Sequence, residues 1–168
     1  YTGGVGRFAA ASRVVGTNRR FRRANSVVCQ AVNRHTNIIG FSGAGLVCGP
    51  GSETYLREIA VICIAAPING LNMTSSRHHR AMMNAGQTPF EAEWMAEVAR
   101  ATQRARLDRA QAGEVIQKFS ETLNGKPAEP GQHINEVYDL VRGRIKPEWE
   151  EKYRRVKSDL AALGLRFD

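Results

Sequence analysis

Residues 42–53 read SGAGLVCGPGSE, four glycines and a proline in twelve positions. No regular element of ordinary propensity is expected to run through such a stretch, because glycine and proline punctuate the backbone rather than continue it. Before it, the apolar run NIIGFSG (37–43) predicts a short buried strand. After it, Ser52 is a favourable N-cap for a helix over 53–66, with Glu53 in the first turn where the helix dipole favours a carboxylate. A strand that hands over to a helix through glycines is a building unit of α/β folds, and in such folds chemistry gathers at the carboxyl ends of strands.

The neighbouring sequence repeats the rhythm. Phe21, Ala24, Val28, Ala31, Val32 and His35 recur at three-to-four spacing and predict an amphipathic helix with arginines on its other faces. Leu56, Ile59, Cys63 and Ala66 are the expected buried stripe of the helix after Ser52, and NGLNMTSS is a second candidate strand. The second half reads as helices. Thr88-Pro89-Phe90-Glu91 is a capping box with proline at the first helical position, opening a helix to about residue 106. Asp108 caps the next, with Ala112, Val115, Ile116, Phe119 and Leu123 on one face and Gly125 as its stop. INEVYDLV predicts a short helix. A last helix starts at Pro147, carries Tyr153, Val156, Leu160 and Leu163, and ends at Gly164.

Charge limits the partners. Seven arginines (7, 13, 19, 20, 22, 23 and 34) precede the first acidic residue, Glu53, so most of the net charge of +8 sits in the first third of the chain. This asymmetry fits either a nucleic-acid surface or a basic face whose acidic partner lies elsewhere. No recognition module or set of stacking aromatics accompanies the arginines, and Phe21 falls on the apolar stripe, so no nucleic-acid partner is expected. The longest apolar run, IAVICIAAPI, is shorter than the roughly 20 residues a membrane span requires, and no membrane association is expected. Three cysteines without a C-x-x-C pattern support neither a disulfide framework nor a zinc knuckle and fit a reducing cytoplasm best. With Tyr at position 1, the chain is expected to be a piece of a longer protein.

Chemistry-bearing residues keep two readings each. The glycine stretch matches neither a Walker loop nor a dinucleotide fingerprint. It either permits close approach of a ligand or simply makes the turn. Cys48 is either a thiolate near a helix N-terminus, able to act as nucleophile or ligand, or a small buried hydrophobe. His78 and His79 read as an anion or metal site or as a solvated turn. Glu91, Glu93 and Glu97 form an acidic helical face, for which Arg100 is the expected ion-pair partner. No tightly bound metal is predicted.

GTNRR (16–20), VCGPGSE (47–53), MAEVARATQ (95–103), VYDLV (137–141) and the ending PEWEEKYRRVKSDLAALGLRF together resemble the C-terminal part of the monomethylamine methyltransferases, over essentially the whole chain. EVARAT (97–102) and LGLRF are the most specific pieces. The resemblance implies an α/β fold that is the C-terminal part of a TIM-type (β/α)8 barrel, its last strand and helix units over 1–86, followed by appended helices over 87–168. It implies methyl transfer from a methylated amine to the corrinoid of a separate corrinoid protein. The family's electrophile, pyrrolysine, is implied upstream of Tyr1, so this chain alone is expected to be inactive and, as a partial barrel, prone to aggregate. A homo-oligomer is also expected. Implied chamber or corrinoid-face residues are Asn18, Arg20, Ser42, Gly43, Ala44, Gly45, Leu46, Cys48 and Glu53. Before the cysteine the family places a glutamine and a tyrosine, where this chain has Gly43, Ala44, Gly45 and Leu46. That departure implies a wider chamber with fewer hydrogen-bond donors.

Overall fold

A computed structural model of the chain describes residues 19–78, 88–123 and 129–167. Helix α1 (Arg19–His35) leads to strand β1 (Phe41–Leu46), helix α2 (Glu53–Ile68) and strand β2 (Asn72–His78). The two strands pair in parallel. Parallel neighbours need a long crossover, which α2 supplies. Ser52 caps α2 as its sequence predicts, its hydroxyl accepting from the Tyr55 N–H at 3.1 Å.

Helix α2 is the centre of the fold. Leu56, Ile59, Cys63 and Ala66 are buried as expected, but so are Val61, Ile62 and Ile64 on the remaining faces. A helix apolar all round belongs in a core, and α2 packs against both strands and against helices α3 (Pro89–Ala105), α4 (Arg109–Glu121) and α6 (Pro147–Ala162). The Trp94 indole N–H on α3 donates to the Leu56 carbonyl at 3.0 Å, so even this polar atom is satisfied in the core. Phe90, Trp94, Trp149 and Tyr153 meet edge to face across the α3–α6 contact, with ring centroids 4.9–5.2 Å apart.

The predicted caps of the later helices are present. Glu91 accepts from the Thr88 N–H at 2.8 Å and from the Thr88 hydroxyl. Asp108 and Gln111 bond reciprocally to each other's backbone N–H at 2.8 and 3.0 Å. Helix α4 ends at Glu121; its expected stop, Gly125, lies outside the described residues.

Three expectations are corrected. The strand expected over 37–43 is displaced to Phe41–Leu46, because pairing with β2 draws the small residues of the glycine stretch into the ladder, with a register shift between Ser42 and Ala44. The helix expected over 134–141 stops after one turn, as α5 (Ile134–Val137), and is followed by a hairpin of β3 (Tyr138–Asp139) and β4 (Arg144–Ile145). The Asp139 carboxylate accepts from the Val141 and Arg142 N–H groups at 3.0 Å each, a local bonding pattern that competes with helix. Gly143, at φ +63°, completes the turn. Finally, the apolar stripe of α1 is not buried among the described residues: Ala24, Ala31 and His35 are exposed and Val28 is 47% exposed.

Polar groups instead secure α1. Ser26 and Gln30 donate to Asn69 Oδ1 at 2.6 and 3.0 Å. Gly70, at φ +73°, lets the α2–β2 turn approach so closely that a Cβ there would lie 1.9 Å from Asn33 Nδ2. No helix of the described residues is long and apolar enough to cross a membrane.

Candidate active-site region at the strand ends

The parallel register sets Gly45 beside Arg77 and Leu46 beside His78, so the carboxyl ends of β1 and β2 form one shared edge. Five of the candidate residues, Ser42, Gly43, Ala44, Gly45 and Leu46, therefore lie in a strand rather than in a loop. His78 ends that neighbouring strand instead of forming a solvated turn, while His79 lies outside the described residues. Asn18 also lies outside them. Arg20 falls in the first turn of α1, and the contacts expected of its side chain lie outside what is described.

The turn proper, Val47–Ser52, is spent on structure. Glu58 Oε2 on α2 accepts from the N–H groups of Val47 and Cys48, at 3.1 and 3.0 Å. The Gly49 N–H donates to the Glu129 carbonyl at 2.9 Å, and Gln132 donates back to the Pro50 carbonyl at 2.9 Å. The Ser52 hydroxyl donates to the Gly49 carbonyl at 3.1 Å. Lys152 of α6 donates to the Gly51 carbonyl at 2.9 Å. Three successive N–H groups, at 47, 48 and 49, already have protein acceptors and are not free for a ligand.

The glycines answer to this packing. A Cβ at Gly49 would come within 2.6 Å of the Pro130 carbonyl oxygen and 2.7 Å of Gly131 Cα. Two backbones cross here at a distance that only glycine permits on both sides. Gly51, at φ +85°, is constrained in addition by its left-handed conformation.

Cys48 is buried, and its sulfur accepts from the Glu129 N–H at 3.4 Å. It belongs to the joint and has the character of a small core residue. Glu53 pairs with Arg57 at 2.7 Å and with Arg155 of α6 at 3.4 Å. Arg57 also pairs with Asp159 and stacks over Phe119, its guanidinium carbon 5.0 Å from the ring centroid. Together Glu53 and Arg57 bind the start of α2 to α6 and α4.

Sequence reading overlooked Glu58 and Arg57. Their one visible signal is a charged pair interrupting the apolar run YLREIAVICI. Burial raises the Glu58 carboxyl above its usual range, its two backbone N–H bonds oppose the rise, and the neighbouring charge of Glu129 adds to it. Cys63 is likewise pushed up by burial. Glu97 pairs with Lys157 and accepts from Tyr153 Oη at 2.6 Å, a cross-helix network in place of the expected Arg100 contact.

Among the described residues no three His, Cys, Asp or Glu side chains converge as a metal-ligand set. Two clefts among the described residues, of about 220 Å³ beside Lys146 and Lys152 and about 380 Å³ between α4 and the end of α6, are small for a corrin macrocycle. Neither of these two clefts accommodates a resident corrinoid.

Residues 12–165 match the sequence model of the family described as monomethylamine methyltransferase MtmB. The fold is similar to the crystal structure of the Methanosarcina barkeri monomethylamine methyltransferase MtmB, at 25% identity and a TM-score of 0.73, over 83% of this chain and 31% of that one. It is similar to the crystal structure of the hydroxylamine MtmB complex, at 25% identity and a TM-score of 0.74, with the same coverage. The chain thus spans about a third of the length of these solved relatives. No curated protein matches it.

Proposed function

The chain belongs to the monomethylamine methyltransferase family, and from that premise we propose that it is the C-terminal portion of an enzyme moving a methyl group from a methylated amine to the corrinoid of a partner protein. The match over residues 12–165 carries this reading. The parallel β1–α2–β2 unit, with its strand ends side by side, is consistent with the last units of a TIM-type barrel.

Within that reading, this chain shapes one wall of the chamber rather than supplying the electrophile, which the family places in a pyrrolysine upstream. The β1–β2 edge would face the amine, with Gly43, Ala44 and Gly45 leaving more room than the family's glutamine and tyrosine, whereas Leu46 is buried in the core and contributes no chamber surface. The substrate is then monomethylamine or a related methylated amine. The partner's corrinoid would supply the reduced cobalt nucleophile that receives the methyl group. The Cys48–Ser52 joint, closed by Glu129, Gln132 and Lys152, would hold the wall rigid and keep water from its back.

Intact-mass and peptide mass spectrometry of the complete gene product tests the reading. Pyrrolysine encoded by an in-frame amber codon in a continuous barrel is expected. An upstream sequence without it, or one that does not continue a barrel, would overturn the proposal.

A further inference from the structure

We infer that Glu58 is a positioning residue for the strand-end site: its carboxylate holds the turn that follows β1, and through it the alignment of Gly45 and Leu46 against Arg77 and His78. The inference rests on the proposed reading that this edge faces the methylamine.

One carboxylate oxygen accepts from two successive N–H groups, those of Val47 and Cys48, at 3.1 and 3.0 Å. Successive backbone amides form a small concavity suited to negative charge, and an ionised acceptor makes such bonds shorter and stronger. Glu58 is 4% exposed, in a helix buried on every side. A carboxylate there costs desolvation energy that an apolar side chain would avoid. What it contributes in return is a link between the end of β1 and the buried central helix of the fold. The residues displaced if the link fails begin one position away, at Leu46.

The link responds to pH. The ionisable groups beside Glu58 are Glu129, on the segment crossing the turn, and the thiol of Cys48 in the turn itself. Arg57, next along α2, is committed to Glu53 and Asp159. Burial and Glu129 raise the Glu58 pKa, so lowering the pH protonates it early and weakens both bonds.

The test uses the complete gene product with its corrinoid partner. It compares wild type, Glu58→Gln and Glu58→Ala by kcat/KM for the amine across pH, and by hydrogen exchange at the Val47 and Cys48 amides. Glu58→Ala is expected to lower kcat/KM about tenfold, the effect of a small misplacement of a site wall. It should also speed exchange at those two amides more than elsewhere. Glu58→Gln keeps an acceptor oxygen and cannot ionise, so it should restore most of the activity and lack the acid limb attributable to Glu58. Wild-type kcat/KM and exchange in Glu58→Ala would overturn the role of Glu58. So would a Glu58→Gln protein as impaired as Glu58→Ala that keeps the wild-type pH profile. A wild-type protein that transfers no methyl group would overturn the functional reading itself, and this role with it.

Discussion

Helices α1 and α6 are nearly equal in length, both amphipathic and both rich in basic residues, yet they are held in opposite ways. The apolar face of α6 is buried against α2 and the α3 aromatic cluster, with Trp149, Val156 and Leu160 at most 2% exposed. On α1, Val27 and Val28 are 61% and 47% exposed, and the contacts to Asn69 are polar. Helical periodicity shows which face of a helix is apolar. It does not show whether a partner for that face lies within the same stretch of chain, and for α1 none lies among the described residues.

The contrast can be broken at its strongest point first. Trp94→Ala removes the ring that joins α2, α3 and α6, and should cost about 3–5 kcal/mol of stability in chemical denaturation of the complete protein. Arg57→Ala strands Asp159 and leaves Glu53 with Arg155 alone. Because Asp159 is half exposed, the expected loss is smaller than for a fully buried pair, about 2 kcal/mol by the same measurement.

Alkaline pH probes the same contact more gently. Partial burial and the neighbouring Glu97 push the Tyr153 hydroxyl up to about 12, from an ordinary 10. Unfolded chains lose this proton first, so the contribution of Tyr153 is intact below about pH 10 and is lost as the pH rises towards 12. Ultraviolet difference titration should show a late-ionising tyrosine component that is lost in Tyr153→Phe. The smallest effect belongs to α1: Val28→Ser should change stability by no more than about 0.5 kcal/mol. A large loss there would mean that α1 is packed like α6 after all.

What was legible in the sequence was local. The caps at Ser52, Thr88 and Asp108 and the proline start at Pro147 act within one helical turn of the residues that reveal them, and each is present. The limits of β1 were not legible, because glycines that signal a turn were recruited by a partner strand some thirty residues on. Arg57 reads as an ordinary surface cation until Asp159, 102 positions away, is brought against it. Gly49 and Gly131 explain each other only once the chain has crossed itself. Of the candidate site, the strand-end residues Gly45 and Leu46 do meet a second strand end. Cys48 and Glu53, singled out for their chemistry, are engaged in holding the fold.

The most direct test of the account is methyl transfer by the complete gene product, with its corrinoid protein in the reduced state and a panel of methylated amines, followed by the cobalt absorbance. The account predicts amine-dependent methylation of the partner, with monomethylamine or a bulkier methylated amine as the preferred substrate. No methylation with any amine, by a folded protein beside a corrinoid partner shown to be active, would contradict it.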